Sequence, residues 1–182
     1  LFATYHNADK SKGQLSWEPG QELSNLQLSD LDRWILAELQ DLLESVEREM
    51  GAFRLYNVVP AVIAFVDNLT NWYIRRSRRR FWKSQDDGDK VAAYATLYRV
   101  LTDFAKVLAP FLPFVSEEIW QMLSAEIDPA APRSVHHCDM PRCDESLKDP
   151  GSVARMALAR RVVELGHLQR QKEGVNLRKP LK

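Results

Sequence analysis

A chain of 182 residues, 45% hydrophobic and 27% charged, is long enough for one domain with its own core, which excludes a disordered tail and a disulfide-stapled miniprotein. Its 25 Lys and Arg balance 25 Asp and Glu, so bulk charge names no anionic partner and only the placement of the bases can do so. Two cysteines, Cys138 and Cys143, fit reduced thiols, and no apolar run nears the roughly 20 residues that cross a bilayer, so the expected setting is the cytoplasm.

Residues 1–27 are polar and punctuated by Asn7, Asp9, Gly13, Pro19 and Gly20, which predicts a connector with little regular structure. Ser29 can cap a first helix, with Asp30 and Asp32 at its positive end. Leu31, Ile35, Leu39, Leu42, Val46 and Met50 form one stripe that stops near Gly51. A second helix runs from Leu55 to about Trp82, with Pro60 in its first turns. Its stripe, counted at about 100° per residue from Tyr73, holds Val59, Ile63, Val66 and Phe81, with Ser77 between the last two. Asp86, Asp87 and Gly88 break it.

A third helix starts near Asp89 and buries Val91, Tyr94, Leu97, Tyr98, Leu101, Phe104, Ala105 and Leu108 until Pro110 ends it. Pro113 opens a fourth, with Val115, Ile119, Trp120 and Leu123 inward. Residues 128–132 form a loop, and Ser134 to Pro141 has weak extended character. Pro150 begins a fifth helix carrying Val153, Met156, Val163 and Leu168, closed by Gly174. Val175 to Lys182 reads as a strand or linker. The predicted fold is all-α, an antiparallel bundle of four to five helices with a polar N-terminal lead-in and a short extended C-terminal tail. The division is 1–27 connector, 28–173 helical domain and 174–182 linker. The chain opens on Leu1 and stops at Lys182 without a terminating feature, so a segment of a longer protein is expected.

The informative run is Asn71-Trp72-Tyr73-Ile74-Arg75-Arg76-Ser77-Arg78-Arg79-Arg80-Phe81-Trp82-Lys83. With the stripe inward, Trp72, Arg75, Arg79 and Lys83 face away from the core, and Arg76 and Arg80 flank it. Like charges four residues apart repel by a few tenths of a kcal/mol each, a cost an anionic partner relieves. The planar guanidinium stays charged and donates two parallel bonds to phosphate, and arginine beside tryptophan can stack on unpaired bases. The bland alternative is a solvated face paired with Asp67, Asp86, Asp87 or Glu118. The weaker pair Arg178 and Lys179 lies near the C-terminal end.

Other chemistry is sparse. His136, His137, Cys138 and Cys143 lack the paired spacing of a zinc site, so no metal is expected. Glu117 and Glu118 are adjacent on a helix and point about 100° apart, poorly placed as a catalytic pair. No phosphate-binding loop, nucleophile elbow or metalloprotease motif occurs, so no catalytic residue is assigned.

These segments carry a resemblance. Asp32-Arg33-Trp34-Ile35-Leu36 resembles the D-R-W-I-L that opens the anticodon-binding domain of class Ia aminoacyl-tRNA synthetases. Asn71 to Trp82 is similar to the arginine signature of isoleucyl-tRNA synthetases. Leu108-Ala109-Pro110-Phe111-Leu112-Pro113-Phe114 with Glu117-Glu118-Ile119-Trp120, Ser134-Val135-His136 and Val175 to Leu181 resemble further stretches of that family. Met140-Pro141 departs from it, where Trp-Pro is frequent.

The resemblance covers residue 28 onward and implies a tRNA-binding domain without catalysis. The family's H-I-G-H and K-M-S-K-S elements are absent from this sequence. ATP and zinc are expected only in other parts of the parent, and no cofactor in this chain. The expected partners are an isoleucine tRNA and the catalytic and C-terminal domains of the parent, with the chain itself a monomer. Trp72, Arg75, Arg76, Arg79, Arg80, Lys83, Arg178 and Lys179 are the expected RNA-binding residues.

Overall fold

A computed structural model describes the chain except residues 1, 14, 83–87, 126, 129, 177, 178 and 180–182 and the side chain of residue 125. Helices α1 (Phe2–Ser11), α2 (Asp30–Gly51), α3 (Leu55–Asp67), α4 (Arg75–Phe81), α5 (Gly88–Leu108), α6 (Pro113–Trp120) and α7 (Pro150–Lys172) form an all-α bundle, with no strand among the described residues. A π-helical segment, Asn68–Ile74, joins α3 to α4 without a break, and a second one, Gln121–Ala125, extends α6.

The start of α2 is fixed by chemistry legible in its first residues. The Ser29 hydroxyl accepts from the Asp32 amide at 3.3 Å, and the Asp32 carboxylate accepts from the Ser29 amide at 2.9 Å, a reciprocal capping box. Ile35, Leu39, Leu42 and Val46 are buried along one face as their spacing demands. Antiparallel packing follows from the pairs that meet. Asn57 reaches Glu49, Asn68 reaches Glu38 and Tyr73 reaches Asp32, so α3 runs back along α2. Phe65 packs on Phe104 and Phe81 on Tyr94, so α5 runs back along α3 and α4. Helix α5 is the centre of the bundle, buried on nearly every side. At the far end of α7, Gly174 takes φ 62°, a left-handed turn beyond the helix that glycine adopts without steric cost.

Four expectations need correction. The lead-in contains α1, which runs antiparallel to α5. Phe2, His6 and Trp17 pack with Tyr94 and Tyr98 in an aromatic cluster. The Asp9 carboxylate pairs with buried Lys90 at 2.9 Å and accepts from the Tyr94 hydroxyl at 2.7 Å. Polar punctuation therefore hid a helix whose stability is tertiary.

The stripe on α3 is displaced: Val59, Ile63 and Val66 are 50, 64 and 39% exposed, whereas Val58, Phe65 and Leu69 are 1, 3 and 4% exposed. The π segment adds backbone within one turn, so a count at constant helical period from Tyr73 misses the earlier face by about 90°. Thr70 contributes to that distortion, since its hydroxyl takes the Val66 carbonyl at 2.7 Å. Helix α7 also buries less than its stripe implied. Val163 and Leu168 are 37 and 45% exposed, because only its first half lies on the bundle. Val115 of α6 is exposed as well. Most of the C-terminal tail lies outside the described residues.

Candidate nucleic-acid interface

Three side chains seat the basic segment. Tyr73, Ser77 and Phe81 recur every four residues and are buried, with Phe81 edge-on to Tyr94 of α5. With that stripe inward, Arg75, Arg76, Arg78 and Arg79 face solvent. None of the four makes an ion pair among the described residues. Four guanidiniums in five positions therefore lack internal neutralisation, and their field points outward.

Arg80 does not join them. Its side chain is 12% exposed and grips fully buried Asp32 through two bonds of 2.8 and 2.7 Å, the paired geometry that a guanidinium and a carboxylate favour. Its Nε donates to the Asp89 carboxylate at 2.8 Å and Nη2 to the Asp89 carbonyl at 3.0 Å. Asp32 also accepts from the hydroxyls of Tyr73 and Ser29, both at 2.7 Å. Burial alone would raise the Asp32 carboxyl, but the bonds and charge of Arg80, with those hydroxyls, hold it below its ordinary value. Burial likewise works against the Arg80 charge, and Asp32 more than offsets it, so the guanidinium is held more firmly protonated. Tyr73 is pushed up by its burial and by the neighbouring Asp32 charge. Among the described residues, internal neutralisation thus claims Arg80 alone of these five arginines, through Asp32 and Asp89. Asp67 pairs with Arg160 at 3.0 Å, Glu118 forms no ion pair among the described residues, and Asp86 and Asp87 lie outside them.

Both ends of the basic segment carry an arginine stacked on an indole. Arg76 lies 4.4 Å over the half-buried Trp72 ring, and Arg78 lies 4.1 Å over Trp82. The Trp82 indole N–H donates to the Tyr5 hydroxyl, which ties α1 to this end of the belt. Lys83 and Arg178 lie outside the described residues. Lys179 is exposed in the turn after α7, where its amide donates to the Asn176 carbonyl and its carbonyl accepts from Arg170; its described contacts do not reach α4.

Three basic residues escaped the sequence reading. Arg78 could have been found by its four-residue offset from Trp82, the same offset that joins Trp72 to Arg76. Arg160 and Arg161 could not, since α7 reaches Trp72 only in the folded chain, where Arg160 sits 5.3 Å from that ring. The surface can bind phosphates through free guanidiniums and stack on planar groups through its two indoles. Among the described residues no cluster of His, Cys, Asp or Glu could hold a metal ion, and no helix is long and apolar enough to cross a membrane.

Comparison with known proteins adds an independent line. Residues 32–182 match the sequence family described as the anticodon-binding domain of tRNA ligase. The chain is 44% identical over 161 residues to an isoleucine–tRNA ligase of Chlamydia trachomatis serovar L2b, covering 88% of this chain and 15% of that protein. It is 46% identical over 153 residues to an isoleucine–tRNA ligase of Chlamydia caviae, covering 84% of this chain and 14% of that protein. The chain therefore spans about one-seventh of the length of these relatives.

Proposed function

Because the chain belongs to the family of anticodon-binding domains of tRNA ligases, we propose that it holds an isoleucine tRNA for a parent isoleucine–tRNA ligase, with the exposed face of α4 as its phosphate-binding surface. The observation that carries this reading is the split within the arginine run. Arg80 is neutralised internally, while Arg75, Arg76, Arg78 and Arg79 stay exposed and, among the described residues, without an ion pair, beside two indoles. Phosphate contacts fix register without reading sequence, so discrimination between anticodons rests on groups that meet unstacked bases. In this reading the chain positions RNA and has no reaction of its own. The ATP-dependent joining of isoleucine, and any zinc, belong to other parts of the parent, with which this bundle would dock.

Titration of the chain with an isoleucine tRNA transcript, and with one of altered anticodon, tests the reading. Salt-sensitive binding that drops about tenfold or more when Arg75, Arg76 and Arg79 are replaced together by Ala supports it. Undiminished affinity in that variant, with helix content intact, removes α4 from the interface.

A further inference from the structure

A shallow groove of about 380 Å³ lies between the π segment and α7, lined by Trp72, Ala157, Arg160, Arg161 and Glu164. That volume is at the small end of the roughly 300–1,000 Å³ of ligand sites, so it suits one planar group and not an extended chain. Its floor is built from internal bonds. Arg160 donates to Asp67 at 3.0 Å and to the Asn68 side-chain carbonyl, which fixes its guanidinium beside the Trp72 ring. Asn68 in turn donates to Glu38, which also accepts from the Trp34 indole at 2.9 Å, so the platform is anchored in the core. Arg76 occupies the ring from the belt side at 4.4 Å. At the rim, Arg161 is 60% exposed and held along α7 by Glu164 at 2.8 Å.

An indole flanked by guanidiniums, with a loosely held arginine at the edge, matches what an unpaired nucleotide needs. The aromatic and guanidinium planes take the base by stacking, and the exposed Arg161, exchanging Glu164 for the ligand, takes its phosphate. A base inside a duplex is already stacked and cannot enter. Ala157 leaves the opening clear, and the groove lies against Trp72, where the exposed arginines of α4 begin. We propose that this groove seats one unpaired nucleotide of the RNA held along α4, an inference that rests on reading α4 as an RNA-binding face.

The test is fluorescence titration of the chain with a synthetic anticodon stem-loop of an isoleucine tRNA. Arg161→Glu reverses a rim charge that, among the described residues, pairs with Glu164 alone. Arg155→Glu makes the same charge change on α7 outside the groove, at a side chain that is 74% exposed. Trp72→Phe keeps an apolar ring under the arginines and removes the indole signal. The expected result is binding weakened at least tenfold by Arg161→Glu and less than twofold by Arg155→Glu. The tryptophan quenching seen with the unchanged chain should also diminish in Trp72→Phe. Equal effects of the two charge reversals, or quenching unchanged in Trp72→Phe, overturn the groove while leaving the α4 surface standing, provided the triple change at Arg75, Arg76 and Arg79 still weakens binding. Absence of stem-loop binding by the unchanged chain overturns both.

Discussion

Arg79 and Arg80 are neighbours in sequence with opposite surroundings, one exposed and one paired with buried Asp32, and the difference is measurable. Removing Arg80 leaves Asp32 buried without its cation, a loss on the order of 3–5 kcal/mol, so Arg80→Ala should unfold at much lower urea than the unchanged chain. Arg79→Ala, at an exposed site without an ion pair among the described residues, should stay within about 0.5 kcal/mol while weakening RNA binding. The Asp32 carboxyl also sets a pH dependence. Its folded value lies below the ordinary 3.8, so its contribution is fully present above that pH and is lost as pH falls through the lower folded value. Urea unfolding followed from pH 7 to pH 2.5 should show stability falling below about pH 4, and Asp32→Asn should remove part of that slope. None of this was legible locally, because Asp32 and Arg80 are 48 residues apart. A sequence reading sees similar bases, and among the five described arginines only the fold selects Arg80 as internal. Phe53 offers a separate check. It is 91% exposed at φ 58°, a left-handed conformation that costs a residue with a Cβ roughly 1–2 kcal/mol. Phe53→Gly should therefore stabilise the chain by about 0.5–1 kcal/mol after the added unfolded-state freedom of glycine, raising Tm by roughly 1–4 °C in calorimetry.

At the scale of elements, what could be read followed from whether the helical period stays constant. Helix α2 has a side-chain cap and an uninterrupted stripe, and its start and buried face both followed from Ser29, Asp32 and the spacing of Ile35 to Val46. The α3–α4 helix is at least as rich in apolar residues, yet its face was misplaced before Asn68, because the π segment resets the phase and no residue type announces it. Thr70 bonding back to Val66 is a partial signal, but Thr102 makes the same bond to Tyr98 inside the regular helix α5, so the hydroxyl does not suffice. Helix α1 was missed for another reason: its apolar residues are few, and it is held by rings from Trp17, Tyr94 and Tyr98. Helix α7 was found, but its stripe overstated its burial. After Arg160 nearly every residue is exposed, including Val162, Leu165 and Leu168. Local opening costs least where few apolar contacts must break. Amide hydrogen exchange of the isolated chain should therefore show residues 161–172 exchanging at least about a hundredfold faster than the centre of α5, which is walled in by α1, α2, α4 and α6. Equal protection would mean that the second half of α7 packs on the bundle.

For the molecule as a whole, a net charge of zero coexists with four exposed arginines gathered on α4, and salt dependence is the measurement that weighs one against the other. Were the 25 bases and 25 acids evenly interspersed, RNA would see little field, and binding, if any, would respond weakly to salt. Four exposed arginines on α4 would instead release counterions from about four phosphates. At roughly 0.7–0.9 ions per phosphate, the plot of log affinity against log salt should have a slope near −3, a loss of about sixtyfold between 50 and 200 mM salt. Arg80 should add nothing to that slope, because its donors are already committed to Asp32 and Asp89. Replacing Arg75 and Arg79 together by Ala should flatten the slope by roughly 1.4–1.8. Replacing Arg155, exposed on α7 and 3.9 Å from Asp149, should leave it nearly unchanged. A slope near zero with tight binding would show that contacts other than phosphate pairing hold the RNA, and the arginine face would lose its assigned role. A slope well beyond −4 would show that bases outside α4 share the load, with Arg161 at the rim of the α7 groove the first to test.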